Sequence, residues 1–278
     1  GLFRKLAKVN SAIGVFSFIS SVLFVYCFSF KGAIYSLFLI QLLNVVLNWF
    51  ILRNTFANTL VERISIHEIK AYSKKLLKYS IPISLQEITY SLTSILSFSI
   101  IVKISGPQQL GLFNAASQWM TMVILIPSIL RNVLLKHFAE DSTDLNKLHN
   151  KVKYSLKTIS ILSITIAAFC MILFPIIQTY YGKTFDGLID IVYILLISSI
   201  FMSISTVINQ YLMSINKNWK MLFIRLLRDF LIIILGTLLI LYSRFSGAIS
   251  MSIAFLFSNI VYFFILMICF KSEKVNKI

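Results

Sequence analysis

Residues Lys78–Lys136 have the sequence KYSIPISLQEITYSLTSILSFSIIVKISGPQQLGLFNAASQWMTMVILIPSILRNVLLK, which predicts two membrane-spanning helices joined by a short turn. The first is predicted to begin at Pro82. Proline has no N–H, and this costs nothing in the first turn of a helix, where N–H groups have no partner within the helix. A turn over 103–110, with the breaker pair Gly106-Pro107, joins it to a second helix over 111–135. Each helix is long enough to cross a hydrocarbon core of about 30 Å.

Polar side chains form one stripe along each of these two helices, because at about 100° per residue they fall within a narrow arc. The stripe on the first helix consists of Ser80, Ser84, Glu87, Ser91 and Ser94. The stripe on the second consists of Asn114, Ser117, Gln118, Thr121, Ser128 and Asn132. Lipid offers such groups no hydrogen-bond partner, so each stripe must face other protein or water.

The composition predicts an all-α, polytopic membrane protein with about eight transmembrane helices. Of 278 residues, 58% are hydrophobic and 13% charged, and the mean hydropathy is +0.86, whereas a soluble domain carries about 25% charged residues. The predicted spans are residues 11–30, 33–52, 82–102, 111–135, 158–178, 188–213, 221–242 and 248–270. The sixth is rich in Ser, Asn and Gln, which suit either helix packing or a cavity wall.

The charge distribution predicts the orientation of these spans. The net charge is +16, and most of the 26 Lys and Arg residues lie in loops on one side. The other side has Lys31, Lys103, Lys183 and Arg244. A positive-inside bias explains this asymmetry better than nucleic-acid binding, and it places both ends of the chain in the cytoplasm.

Three short segments, PISLQEI, LGLFNAASQW and IPSIL, resemble the start of the second lobe of polysaccharide flippases, which belong to the multidrug/oligosaccharidyl-lipid/polysaccharide exporter (MOP) superfamily. The resemblance to O-antigen flippases of bacterial inner membranes implies that residues 1–52 are the last two helices of the first lobe. It also implies an interfacial connection at 53–78, a six-helix second lobe at 79–270 and a cytoplasmic tail at 271–278. On this pattern we expect four further helices to precede Gly1 in the complete protein.

Five charged residues inside the predicted spans are candidates for function: Glu87, Arg131, Arg225, Arg228 and Asp229. Glu87 lies roughly two turns into the membrane, where a carboxylate costs about 2.5 to 3.5 kcal/mol. It is predicted either to line a cavity, where it exchanges protons or contacts a sugar or a cation, or to be protonated or paired with a neighbouring helix. Arg225 and Asp229 have the i, i+4 spacing of an ion pair, although Arg225 also suits snorkelling to the headgroups. Arg228 lies deeper.

A pyrophosphate group would be well served by Arg228 or by Arg131, because guanidinium presents forked donors that match phosphate oxygens. Arg131 is equally suited to anchoring at the headgroups. Neutral amides and hydroxyls with an aromatic ring suit a sugar, and interhelical hydrogen bonding is an equal alternative. The sugar-site candidates are Asn114, Gln118, Trp119, Thr121 and Asn132.

The resemblance implies a non-enzymatic flippase that moves undecaprenyl-pyrophosphate-linked oligosaccharide between leaflets by alternating access. Its partners would be this lipid-linked substrate, membrane lipids and other polysaccharide assembly proteins. No metal or cofactor motif is present in the sequence. The alternatives are a cation-coupled drug or metabolite exporter of the same superfamily, a membrane glycan polymerase or ligase, and a non-transporting scaffold.

Overall fold

A computed structural model describes residues 2–57, 66–140, 145–182 and 185–275. Within these residues the chain forms seven α-helices and no strand, which confirms the predicted all-α class. The helices are α1 Leu2–Ala57, α2 Ile66–Ser105, α3 Pro107–Glu140, α4 Leu145–Gln178, α5 Leu188–Ser214, α6 Asn218–Tyr242 and α7 Gly247–Val275. The chain divides into two compact units, Gly1–Ala71 and Tyr72–Ile278. Part of the predicted connection at 53–78, residues 58–65, lies outside the described residues.

A break at Ser29 divides α1 into two helical segments. Ser29 has φ of 51° and ψ of −132°, outside the helical region, and a Cβ on Gly32 would overlap the carbonyl oxygen of Phe24. Eight residues of continuous helix rise by about 12 Å, so this approach requires the chain to turn back. The turn between the spans predicted at 11–30 and 33–52 therefore begins slightly earlier, at Ser29.

Six helices among the described residues are long and apolar enough to cross a membrane, namely α1 to α5 and α7. The polytopic class is thus confirmed, and the difference from about eight spans has two sources. The two spans predicted at 11–30 and 33–52 both lie within α1. The span predicted at 221–242 lies within α6, which is not among the six because every stretch of 18 residues in it includes three charged residues, Arg225, Arg228 and Asp229.

The helices are longer than the apolar periodicity predicted. Pro82 lies inside α2 instead of at its start, and the turn after α2 is Gly106 alone, with φ of 90° and Pro107 as the first residue of α3. The segment between the spans predicted at 111–135 and 158–178 is largely helical, because α3 continues to Glu140 and α4 begins at Leu145. Likewise, α7 continues past the predicted start of the tail. Hydropathy identifies only the apolar part of a helix, so the polar turns that continue the helix at either end of that part are not predicted.

The core of the second unit is built around α5, which packs against α3, α4 and α7, while α6 packs mainly against α7. Small hydroxyl residues on α5 permit close helix approach. Ser198 and Ser199 are fully buried, and Asn259 of α7 donates a hydrogen bond to the Ser198 hydroxyl at 3.0 Å. Most of the serine-rich face of this span is therefore a packing surface.

The start of α7 packs tightly against the end of α2, where a Cβ on Gly247 would overlap the Cβ and Oγ of Ser105. We expect Gly247→Ala to lower the free energy of unfolding by about 1–3 kcal/mol, the usual cost of overpacking. Adding Ser105→Gly should restore part of the loss. Reversible unfolding in mixed micelles measures both. The control is Gly111→Ala, where nothing lies within 4 Å of the added Cβ; equal stability of the two alanine variants would contradict the prediction.

Candidate functional site

A cavity of about 220 Å³ lies between α2, α3, α5, α6 and α7 in the second unit. Its charged lining is one carboxylate, Glu87, and three guanidiniums, Arg131, Arg225 and Arg228. Polar and aromatic side chains complete much of the wall. These are Gln86, Tyr90, Ser128, Ser205, Thr206, Asn209, Gln210 and Tyr262. The lining carries a formal excess of positive charge, so the cavity favours an anion.

The topology explains why these charges meet. Consecutive helices run in opposite directions, so the start of α2 and α6 lies at the same end as the finish of α3, α5 and α7. Arg225 lies in the first third of α6 and Arg131 in the last third of α3, so both lie toward this end of the bundle. Glu87 lies near the middle of α2, within ion-pair distance of both.

Glu87 connects three helices through one carboxylate oxygen. Its Oε1 lies 3.5 Å from Nη1 of Arg225 and 3.7 Å from Nη2 of Arg131. The side chains of Glu87 and Arg131 are 52% and 41% exposed, whereas that of Arg225 is 16% exposed. The sequence left open whether Glu87 lines a cavity or is paired with a neighbouring helix, and the structure shows both arrangements together.

Aromatic rings hold two of the arginines in place. The Arg225 guanidinium lies 5.4 Å from the centre of the Tyr90 ring, and that of Arg228 lies 5.0 Å from the Tyr262 ring. Tyr262 in turn donates a hydrogen bond to Oδ1 of Asn209 at 3.0 Å. These cation–π contacts orient the guanidiniums without neutralising them.

The predicted i, i+4 pair of Arg225 and Asp229 is not the arrangement found, because Asp229 pairs with Arg228. Nε of Arg228 donates to Oδ1 of Asp229 at 2.9 Å, and Nη2 donates to the same oxygen. Both side chains are almost fully buried, at 7% and 5% exposed. Asp229 lines a small cleft together with Phe255 and is not part of the lining of the larger cavity.

Several buried polar atoms in the cavity wall have no hydrogen-bond partner within the described part of the protein. They are Nε2 of Gln86, Oγ of Ser205, Oε1 of Gln210 and Nε of Arg225. Buried polar groups without partners are uncommon in folded proteins, and four of the ten such atoms among the described residues belong to the lining of this cavity. Because three of them are donors, the wall offers hydrogen bonds to an acceptor-rich group.

The predicted sugar stripe on α3 does not line this cavity. The side chains of Asn114, Gln118, Thr121 and Asn132 are exposed on the surface of the second unit. Ser128 belongs to both the stripe and the cavity wall, so at 100° per residue the stripe adjoins the cavity-facing side of α3. A ligand that extends out of the cavity over α3 would meet these four side chains.

Trp119 lies in the core instead of in the cavity. It is buried, its Nε1 donates to the Tyr181 hydroxyl at 3.2 Å, and its ring meets that of Phe174 edge to face at 5.1 Å. These contacts join α3 to α4 and to the segment that follows α4. The structure therefore gives this tryptophan a packing position.

Sequence reasoning missed the cavity residues Gln86, Tyr90 and Tyr262. A weak signal was present, since Gln86 is an amide beside Glu87 and Tyr90 follows one turn later. Tyr262 lies in an apolar span with no distinguishing pattern. Only its approach to Arg228 from another helix identifies it.

The fold and the cavity define an all-α membrane protein with the architecture of multidrug and toxic compound extrusion (MATE) transporters. The chain is similar to the crystal structure of MATE in complex with MaL6, at 18% identity and a TM-score of 0.75, over 93% of this chain and 61% of that one. It is also similar to an outward-facing MATE transporter of the MOP superfamily, at 17% identity and a TM-score of 0.77, over 92% and 59%. A third similar structure is that of a MOP superfamily transporter from Pyrococcus furiosus, described as having a binding pocket of reverse polarity. Its sequence identity is 18% and its TM-score 0.74, over 93% of this chain and 60% of that one.

Residues 2–190 match the model of the family described as "Polysaccharide biosynthesis protein", and the chain belongs to that family. The match includes Glu87 and Arg131 and ends before α6. The resemblance to the MOP superfamily is thereby confirmed. No curated protein matches the chain in sequence. The chain spans about three-fifths of the length of the MATE structures it matches.

Proposed function

We propose that this chain is part of a flippase that moves undecaprenyl-pyrophosphate-linked oligosaccharide from the cytoplasmic to the periplasmic leaflet of a bacterial inner membrane. Both ends of the chain would lie in the cytoplasm, so the cavity would be at the cytoplasmic end. The observation that carries the proposal is the gathering of Arg131, Arg225 and Arg228 around one cavity in a family of polysaccharide biosynthesis proteins.

A pyrophosphate headgroup matches the charge of this cavity. Arginine is suited to phosphate oxygens because its planar guanidinium donates two parallel hydrogen bonds. Arg131 and Arg225 approach from different helices, and each is partly accessible. Arg228 is already engaged by Asp229, which balances its charge, so the direct contacts would come from Arg131 and Arg225.

The glycan would extend from the headgroup over the exposed polar stripe of α3. Asn114, Gln118, Thr121 and Asn132 supply neutral donors and acceptors in a position that lipid does not favour. The lipid tail would stay in the bilayer while the polar parts cross in an aqueous space. Membrane lipids and other polysaccharide assembly proteins are the further partners proposed, and no catalytic step is needed.

A cation-coupled exporter is the nearest rival, but the cavity opposes it. Arg228 is balanced by Asp229, but the guanidiniums of Arg131 and Arg225 share one carboxylate, that of Glu87, and their excess positive charge repels an organic cation. A glycan polymerase or ligase would need catalytic groups in an outward-facing domain. Among the described residues, the turns after α2 and α6 are too short to form one.

The function can be tested with the purified full-length protein in lipid vesicles that contain the lipid-linked oligosaccharide. A glycan-oxidising reagent added outside reports the substrate that reaches the outer leaflet. We expect movement that depends on the protein and a second arm, with a cationic dye, that shows no uptake. Dye uptake without movement of the lipid-linked substrate would favour the exporter and contradict the proposal.

A further inference from the structure

We propose that Glu87 is an internal competitor for the anion site: its carboxylate occupies the position between Arg131 and Arg225 that a headgroup phosphate takes, and the phosphate displaces it. The inference rests on the proposed function, in that it takes this cavity as the headgroup site. It adds a role for Glu87, which would hold the site without contacting the bound substrate.

The geometry of Glu87 is that of a replaceable ligand. One carboxylate oxygen serves both arginines, at 3.5 and 3.7 Å, whereas charge-assisted hydrogen bonds in a good pair are about 2.7–2.9 Å. Neither arginine is therefore saturated, and Nε of Arg225 has no partner among the described residues. An anion with more oxygens would complete contacts that Glu87 leaves open.

The neighbouring pair shows what a permanent partner looks like. Arg228 and Asp229 are joined by two hydrogen bonds to one oxygen and are almost fully buried. Glu87, in contrast, is 52% exposed and lines the cavity, so its carboxylate is much less enclosed than that of Asp229. Arg228 thus has a buried counterion, whereas Arg131 and Arg225 share an exposed one.

The surroundings of Glu87 fit an incoming phosphate. The buried side chains of Gln86 and Ser205 are 3% and 1% exposed, line the cavity and have unpartnered polar atoms. Both can donate to a phosphate oxygen. Glu87, an acceptor already shared by two arginines, leaves them unpaired.

Displacement predicts a specific pattern of affinities. A competitor that leaves the site when the anion binds lowers the affinity for every anion by the same factor, whatever the charge of that anion. Two partly exposed ion pairs of this kind amount to about tenfold in an equilibrium constant. Replacing Glu87 by the isosteric Gln should therefore strengthen pyrophosphate and inorganic phosphate binding about equally.

The experiment measures binding of inorganic pyrophosphate and of inorganic phosphate to the full-length protein in detergent, by calorimetry at constant ionic strength. We expect Glu87→Gln to bind both about tenfold more tightly than wild type, within a factor of two of each other. Arg131→Ala and Arg225→Ala should each bind pyrophosphate at least tenfold more weakly. The control is Glu140→Gln, which removes the same charge at the end of α3 outside the cavity and should change neither affinity.

Three results would overturn the inference. The first is no gain in anion affinity for Glu87→Gln at an unchanged melting temperature, and the second is a gain much larger for pyrophosphate than for phosphate. The third is no pyrophosphate binding by either wild type or Glu87→Gln. The second would mean that Glu87 stays beside the bound anion. The vesicle assay separates this inference from the function. If the predicted affinities are found but the lipid-linked substrate does not move, the proposed function is wrong and the role of Glu87 at the anion site is supported. If the substrate moves but Glu87→Gln binds anions no more tightly than wild type, the function is supported and the role of Glu87 is wrong.

Discussion

Replacing Arg225 by alanine is expected to reduce the initial rate of lipid-linked oligosaccharide transport by about 10- to 100-fold in the vesicle assay. Arg225 is the less exposed of the two arginines that contact Glu87. Its Nε lies in the cavity wall and has no hydrogen-bond partner among the described residues. A hydrogen bond to a charged group contributes about 1.5–3 kcal/mol, and 1.4 kcal/mol is tenfold in an equilibrium constant.

Two further variants test whether this effect comes from the guanidinium. Arg225→Lys keeps the charge but loses the planar fork, so it should transport at an intermediate rate. Arg244→Ala removes an exposed arginine in the turn after α6, at the other end of the bundle, and should transport like wild type. If Arg225→Ala is folded and transports normally, the guanidinium has no part in substrate handling.

Replacing Asp229 by alanine is expected to lower the free energy of unfolding by about 3–5 kcal/mol, because it leaves the guanidinium of Arg228 buried without a partner. The double variant Arg228→Leu, Asp229→Leu removes both charges and should lie much closer to wild type, since a buried pair adds little to stability compared with apolar packing. Reversible unfolding in mixed micelles gives all three values. Equal losses in the single and the double variant would show that the pair is not what stabilises this part of α6.

The polar groups of α2 and α3 were predictable individually, while their arrangement was not. Glu87 and Arg131 stood out because charges inside an apolar span are costly. The sequence suggested pairing Arg225 with Asp229, since residues four apart on a helix are neighbours. Glu87, from another helix, takes the place next to Arg225 instead, and no local spacing rule contains that contact.

Trp119 shows a different limit of sequence reasoning. An aromatic residue beside a row of amides fits a sugar site, and it fits a core position equally well. The deciding partners are Phe174 and Tyr181, which come from the end of α4 and the segment after it. The rotation of α3 against α4 therefore determined the role of this side chain.

The sequence by itself determined the all-α membrane class, the polar stripes and the resemblance to the MOP superfamily, because apolar length and helical periodicity are properties of single helices. Only the tertiary structure decided which stripes border one cavity, that Asp229 belongs to Arg228, and that Glu87 joins two arginines. The contacts of Glu87 join residues far apart along the chain, whereas Arg228 and Asp229 are adjacent in sequence. These contacts depend on how each helix is rotated against its neighbours, which the core packing around α5 fixes.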